Sequence, residues 1–134
     1  MPLMYYPRPG EIFICDYPKD MRVPEMVKTR PVVVISPRLR GRGNLITIVP
    51  LSATKPQTIM PYHYELSLAH PLPSPWDANP CWAICDHPMA VGFDRINLIR
   101  LGKDQYGKRK YYQHLIRAED LGAIRDCVTK SFGL

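Results

Sequence analysis

The chain has no CxxC pair, no glycine-rich phosphate loop, no GxSxG and no HExxH, and no apolar run of about 18 residues such as a membrane-spanning helix needs. These absences remove a helical membrane span, phosphoryl transfer from ATP and serine-hydrolase chemistry from consideration. The four cysteines (15, 81, 85 and 127) show no disulfide framework and read as reduced, structural thiols. The opening stretch "MPLMYYPRPG" lacks the apolar core of a secretion signal, so a cytoplasmic location is expected. There is no internal repeat and no linker-like segment, and residues 1–134 read as one domain.

Proline, by contrast, is abundant: 15 prolines and 8 glycines in 134 residues favour short strands and tight turns over a helix bundle. Hydrophobic residues make up 46% of the chain, enough for a core without disulfide support. The net charge is +6, with a pI near 9.3, which makes a polyanion a natural partner. The charge is clustered: "SPRLRGRG" carries Arg38, Arg40 and Arg42, and "GKRK" carries Lys108, Arg109 and Lys110, each beside glycine. Eight tyrosines interleave with the cations: Tyr5, Tyr6, Tyr17, Tyr62, Tyr64, Tyr106, Tyr111 and Tyr112. Some of them are candidates to stack on single-stranded bases, the rest to pack.

The pattern predicts strands at 11–17, 30–36, 45–52, 62–68 and 81–86, and a hairpin pairing 95–101 with 108–115. "RPVVVIS" (30–36) is apolar throughout and is expected to be buried on both faces. Residues 18–28 and the proline-rich 69–80 read as loops, and 117–132 as the single helix, with Leu121, Ile124 and Val128 on one face. The expected fold is therefore mainly β with one C-terminal helix: a compact antiparallel barrel or half-barrel of five to seven strands.

Three groups of residues have the chemistry for a site. Arg30 opens the second strand, where a guanidinium offers a phosphate paired hydrogen bonds at any working pH. From the residues alone, an ordinary surface ion pair with Glu25 is the simpler reading. "VPLSATK" ends the third strand and presents Ser52, Thr54 and Lys55, suited either to phosphate contacts or to local turn bonds. "CDHP" places two titratable groups, Asp86 and His87, side by side. Cys81, Cys85 and His87 share strand parity, but three ligands without a fourth match no common zinc site. His63 and His114 read as strand residues.

Taken in order, "PGEIFICDY", "PEMVKTRPVVVIS", "NLITIVPLSAT" and "WAICDHP" resemble the MazF/PemK (Kid) toxins of toxin–antitoxin pairs. The resemblance implies an SH3-like barrel, a homodimer, a cognate antitoxin, and cleavage of single-stranded RNA without metal or other cofactor. It implies attack by the RNA 2′-hydroxyl, leaving a cyclic phosphate. It places catalytic roles on Arg30, Ser52, Glu25 and Asp86, with His87 available as a proton donor; on that reading the 18–29 loop brings Lys28 over the RNA. Ser52 stands where threonine is common. Ile84 stands where the PemK/Kid proteins carry an arginine, His87 replaces a glutamine, and "MAVGFD" lacks the usual arginine. The 69–80 loop is longer than usual for the family. Two other classes remain open: a CcdB-like toxin that inhibits gyrase by binding, and a non-catalytic RNA-binding module.

Overall fold

The computed structural model describes residues 3–134. Three antiparallel strands form its centre: β1 (Ile12–Cys15), β2 (Arg30–Val34) and β3 (Leu45–Ser52). Their side chains alternate between two cores. Ile12, Ile14, Val33, Val49 and Leu51 point into one, with Ile124 and Val128 of the helix. Phe13, Cys15, Val32, Val34, Ile46 and Ile48 point into the other, with Val91 and Ile96. The apolar run of β2 is therefore buried on both sides, as its composition predicts.

β3 organises the remaining strands. Over Leu45–Ile48 it pairs with β6 (Met89–Gly92), and over Leu51–Ser52 with β5 (Cys81–Ile84). Pro50, which has no N–H to donate, lies between the two pairings. β4 (His63–Leu66) adds beyond β5, and β7 (Ile96–Asn97) adds beyond β1. The result is a mostly antiparallel, seven-stranded sheet with one C-terminal helix, as expected. It is not a closed barrel, because the strand path runs from β4 to β7 with no pairing between those ends among the described residues. The two end strands are only four and two residues long. α1 (Ala118–Ser131) covers the first core.

The 95–101 segment is not one strand. Phe93–Arg95 forms a single 3-10 turn, β7 follows, and β8 (Arg100–Lys103) separates from the sheet to pair with β9 (Arg109–Tyr111). This two-stranded arm exposes Arg100, Lys103, Lys108, Arg109 and Lys110. At its tip Asp104 is spent on the turn, accepting the Tyr106 and Lys108 N–H groups at 2.9 Å each.

Gly10 is where a glycine is required. Its φ is +94°, and its carbonyl accepts the Ile116 N–H at 3.1 Å, fastening the segment before α1 to the start of β1. A second tie holds the helix itself. Asp120 is 2% exposed and accepts hydrogen bonds from Tyr64 Oη at 2.5 Å and Arg117 Nε at 3.0 Å. Burial pushes this carboxyl up, but the bonds from Arg117 and Tyr64 outweigh it and hold the group below its usual range. All four cysteines are buried and free. Burial raises the thiols of Cys15 and Cys81 to about 11, so they stay protonated.

Candidate functional site

β2 and β3 run antiparallel, so Arg30, which begins one, and Ser52, which ends the other, emerge at the same end of the sheet. Both line one open cavity of about 220 Å³, together with Lys28, Thr29, Thr54 and an apolar wall of Pro31, Leu51, Leu72 and Trp76. Strand register creates the cavity: it brings together residues 22 positions apart (30 and 52) whose local sequences have nothing in common.

Arg30 is half-buried, and its Nε is fully buried with no hydrogen-bond partner. Among the described residues its guanidinium makes no ion pair. The Glu25 carboxylate instead accepts the Arg22 N–H at 2.9 Å and closes its own turn. The residue before Arg30 is well anchored. Thr29 Oγ1 donates to Asp16 Oδ1 at 3.0 Å, and Asp16 Oδ2 accepts from Asn97 Nδ2 at 3.2 Å. Ser52 is engaged locally, as turn chemistry predicts: its Oγ accepts the Thr54 N–H at 3.1 Å and donates to the Thr54 carbonyl at 3.3 Å. The second bond is long, so the hydroxyl hydrogen can turn toward an incoming acceptor at little cost.

Glu25, Asp86 and His87 do not line this cavity. They border another, of about 310 Å³, with Tyr17, Met21, Met26 and Met89. His87 Nε2 lies 3.7 Å from Asp86 Oδ2. Tyr17 belongs to this second cavity only. It is 7% exposed, its hydroxyl has no hydrogen-bond partner, and it feels the positive charge of Arg30. Burial raises its pKa well above the usual tyrosine value, and Arg30 offsets only part of that. The structure thus holds two buried donors without a hydrogen-bond partner, Tyr17 Oη and Arg30 Nε. In the sequence Tyr17 is one of eight tyrosines. Its parity with Phe13 and Cys15 was the available signal, since it directs all three toward the second core.

None of the eight tyrosines lines the cavity of Arg30 and Ser52; the aromatic there is Trp76. The basic tip lies elsewhere. β2 leads away from Arg30 toward Ser36, so Arg38, Arg40 and Arg42 follow its far end, on the order of 20 Å along the strand. There Arg38 sits over the Tyr6 ring at 5.4 Å, and Arg42 Nη2 donates to Thr47 Oγ1 at 2.6 Å. Lys55 is exposed just past the cavity rim, while Lys108, Arg109 and Lys110 lie on the β8–β9 arm. Cys81 and Cys85 are buried in the first core, whereas His87 sits in the turn after β5 beside Asp86, so the three do not converge. His63 Nδ1 accepts the Met60 N–H at 3.0 Å, and His114 stacks on His70 with ring centroids 3.6 Å apart.

Residues 8–131 match the family model described as PemK-like, MazF-like toxin of type II toxin–antitoxin system. The chain belongs to this family. Solved structures agree on the fold. An endoribonuclease in complex with its cognate antitoxin, from a mycobacterial species, superposes with a TM-score of 0.64 at 16% identity, covering 96% of this chain and 97% of that one. MazF from Deinococcus radiodurans gives 0.63 at 16% identity, over 97% and 99%. The Mycobacterium tuberculosis toxin MazF-mt6 gives 0.56 at 17%, over 95% and 98%. No curated protein sequence matches the chain. The chain is thus a PemK/MazF toxin by sequence family, and its strand order is the scaffold on which the two cavities sit.

Proposed function

We propose that this PemK/MazF toxin domain, residues 1–134, is an endoribonuclease that cuts single-stranded messenger RNA and is held in check by a cognate antitoxin. The observation that carries the reading is the shared cavity of Arg30 and Ser52, with a buried guanidinium donor left unpartnered. A structural arginine is paired; this one is anchored at its backbone by β2 and open at its tip. Family membership and structural neighbours named as endoribonucleases support the same reading over a gyrase-binding toxin or a passive RNA module.

RNA carries its own nucleophile. Attack by the 2′-hydroxyl on the adjacent phosphorus breaks the bond to the 5′-oxygen and leaves a 2′,3′-cyclic phosphate and a 5′-hydroxyl. The protein must align the linkage and stabilise the extra negative charge that develops on phosphorus. Arg30 supplies fixed charge and donors to the non-bridging oxygens, and Ser52 adds a hydroxyl. This charge stabilisation is why the reading requires no metal ion. We assign proton transfer to Glu25, Asp86 and His87, which border the other cavity and would have to be reached by the ribose 2′- or 5′-oxygen. With Ile84 in place of the family's arginine, the Asp86–His87 pair is the available acid–base couple.

Lys28 and Thr54 border the linkage at the rim of the cavity, and Lys55 lies next to them. Arg38, Arg40, Arg42, Lys108, Arg109 and Lys110 hold flanking backbone phosphates further out. A homodimer extends the RNA track across two copies, and a cytoplasmic location follows from the substrate. To test the reading, labelled RNA is incubated with the protein in EDTA and the new ends are mapped. Discrete cuts ending in cyclic phosphate support it; RNA left intact rejects it.

A further inference from the structure

The 69–80 loop has no regular secondary structure, yet it is fastened at several points. Asn79 bonds Leu68 twice, accepting its N–H and donating to its carbonyl, both at 2.9 Å. Tyr112 Oη donates to the His70 carbonyl at 2.7 Å, and the Trp76 N–H donates to Pro73 at 2.9 Å. Leu72, only 4% exposed, sinks into the first core. A long loop held this rigidly in a compact domain points to a functional placement. What it places is Trp76. The indole packs against the first core and also lines the cavity of Arg30 and Ser52.

The cavity therefore has two chemically distinct halves. Lys28, Arg30, Ser52 and Thr54 are suited to an anion; Pro31, Leu72 and Trp76 form an apolar wall that includes the planar indole. A phosphate alone leaves the wall unused. A drug-sized ligand typically fills about 300–1,000 Å³, more than the 220 Å³ present. One planar base attached to a phosphate matches both halves.

We propose that Trp76 is a base-stacking platform: it holds the nucleobase next to the scissile phosphate and so fixes that linkage against Arg30. Aromatic stacking accepts any base face and adds substantially to single-strand affinity. A base held on a rigid wall loses little further freedom, so the phosphate arrives aligned. The inference rests on the ribonuclease reading for its substrate, and its test separates the two.

The chain has two tryptophans, and Trp82 is 5% exposed, so RNA-dependent quenching reports Trp76. Short 2′-O-methyl oligo-A, oligo-U and oligo-C lack the nucleophile and are titrated into the parent, Trp76→Phe and Trp76→Ala, with binding followed independently by anisotropy. The expected result is quenching in the parent, none in Trp76→Phe despite retained binding, and affinity weakened about tenfold or more in Trp76→Ala. Parent RNA binding without quenching, or Trp76→Ala binding as tightly as the parent, overturns the proposal. Cleavage of unmodified RNA is measured in parallel. Quenching without cleavage rejects the nuclease and keeps the platform; cleavage without quenching rejects the platform alone. Because quenching is read on the unaltered protein, misfolding of Trp76→Ala leaves the test intact.

Discussion

At the scale of single residues, the account turns on which polar groups are already satisfied. Ser52 holds Thr54 through a short turn, while Arg30 Nε and Tyr17 Oη, both buried, hold nothing. An unpartnered buried donor costs stability, roughly 1–3 kcal/mol. Tyr17→Phe removes one such donor. Its melting temperature is therefore expected to equal or exceed the parent's, with cleavage unchanged. A loss of stability would mean that the Tyr17 hydroxyl is satisfied in the folded protein. Ser52→Ala is expected to slow single-turnover cleavage far more than it weakens RNA binding, because its hydroxyl must leave Thr54 to serve the transition state. Equal losses in both would make it a binding contact. Arg30 and Ser52 were visible in the sequence because each stands at the end of a strongly patterned strand. Tyr17 was not, because a tyrosine just past a strand is as often packing as chemistry. Trp76 was invisible too, since nothing in a proline-rich loop states which cavity it returns to.

At the scale of elements, β1 to β5 and α1 were legible because their apolar periodicity and flanking prolines and glycines agree. β6 was missed: "MAVG" is short, follows Pro88 and contains Gly92, and only its register against Leu45–Ile48 makes it a strand. The 95–101 run read as one strand because its apolar residues are continuous. In the structure they are divided between the second core, at Ile96, and the first, at Ile99, and the chain changes sheets between them. The helix tie yields a pH prediction. The Asp120 carboxyl is held below its ordinary 3.8 in the folded protein. Its contribution is therefore full above that value and is lost as pH falls through the depressed folded pKa. Asp120→Asn is expected to lower stability by ~2 kcal/mol at neutral pH, with the gap to the parent closing in strong acid. Denaturant melts across pH measure this, and a gap that persists in strong acid would mean that the charge is not what holds Tyr64 and Arg117.

For the molecule as a whole, charge and topology give the toxin its direction. The cations of the cavity rim, the 38–42 tip and the β8–β9 arm lie apart from one another, so the proposed RNA track would be held at points distant from the cut. Binding is expected to weaken steeply with salt, and Lys28→Gln should reduce the log–log salt slope by about 0.7, one single-strand phosphate contact. An unchanged slope would remove Lys28 from the RNA track. The overall fold was readable because strand patterning and family motifs converge. That the sheet remains open was not, since barrel closure depends on whether β4 and β7 meet, and no local residue pattern specifies that.

The central claim is that a guanidinium fixed by β2 stabilises a cleaving phosphodiester. The most direct measurement is single-turnover cleavage of a mapped RNA site in EDTA by the parent and by Arg30→Ala, at protein concentrations that saturate both. The expected result is a rate reduced by about 10²–10³-fold with fold and melting temperature retained. Cleavage by Arg30→Ala at the parent rate would contradict it.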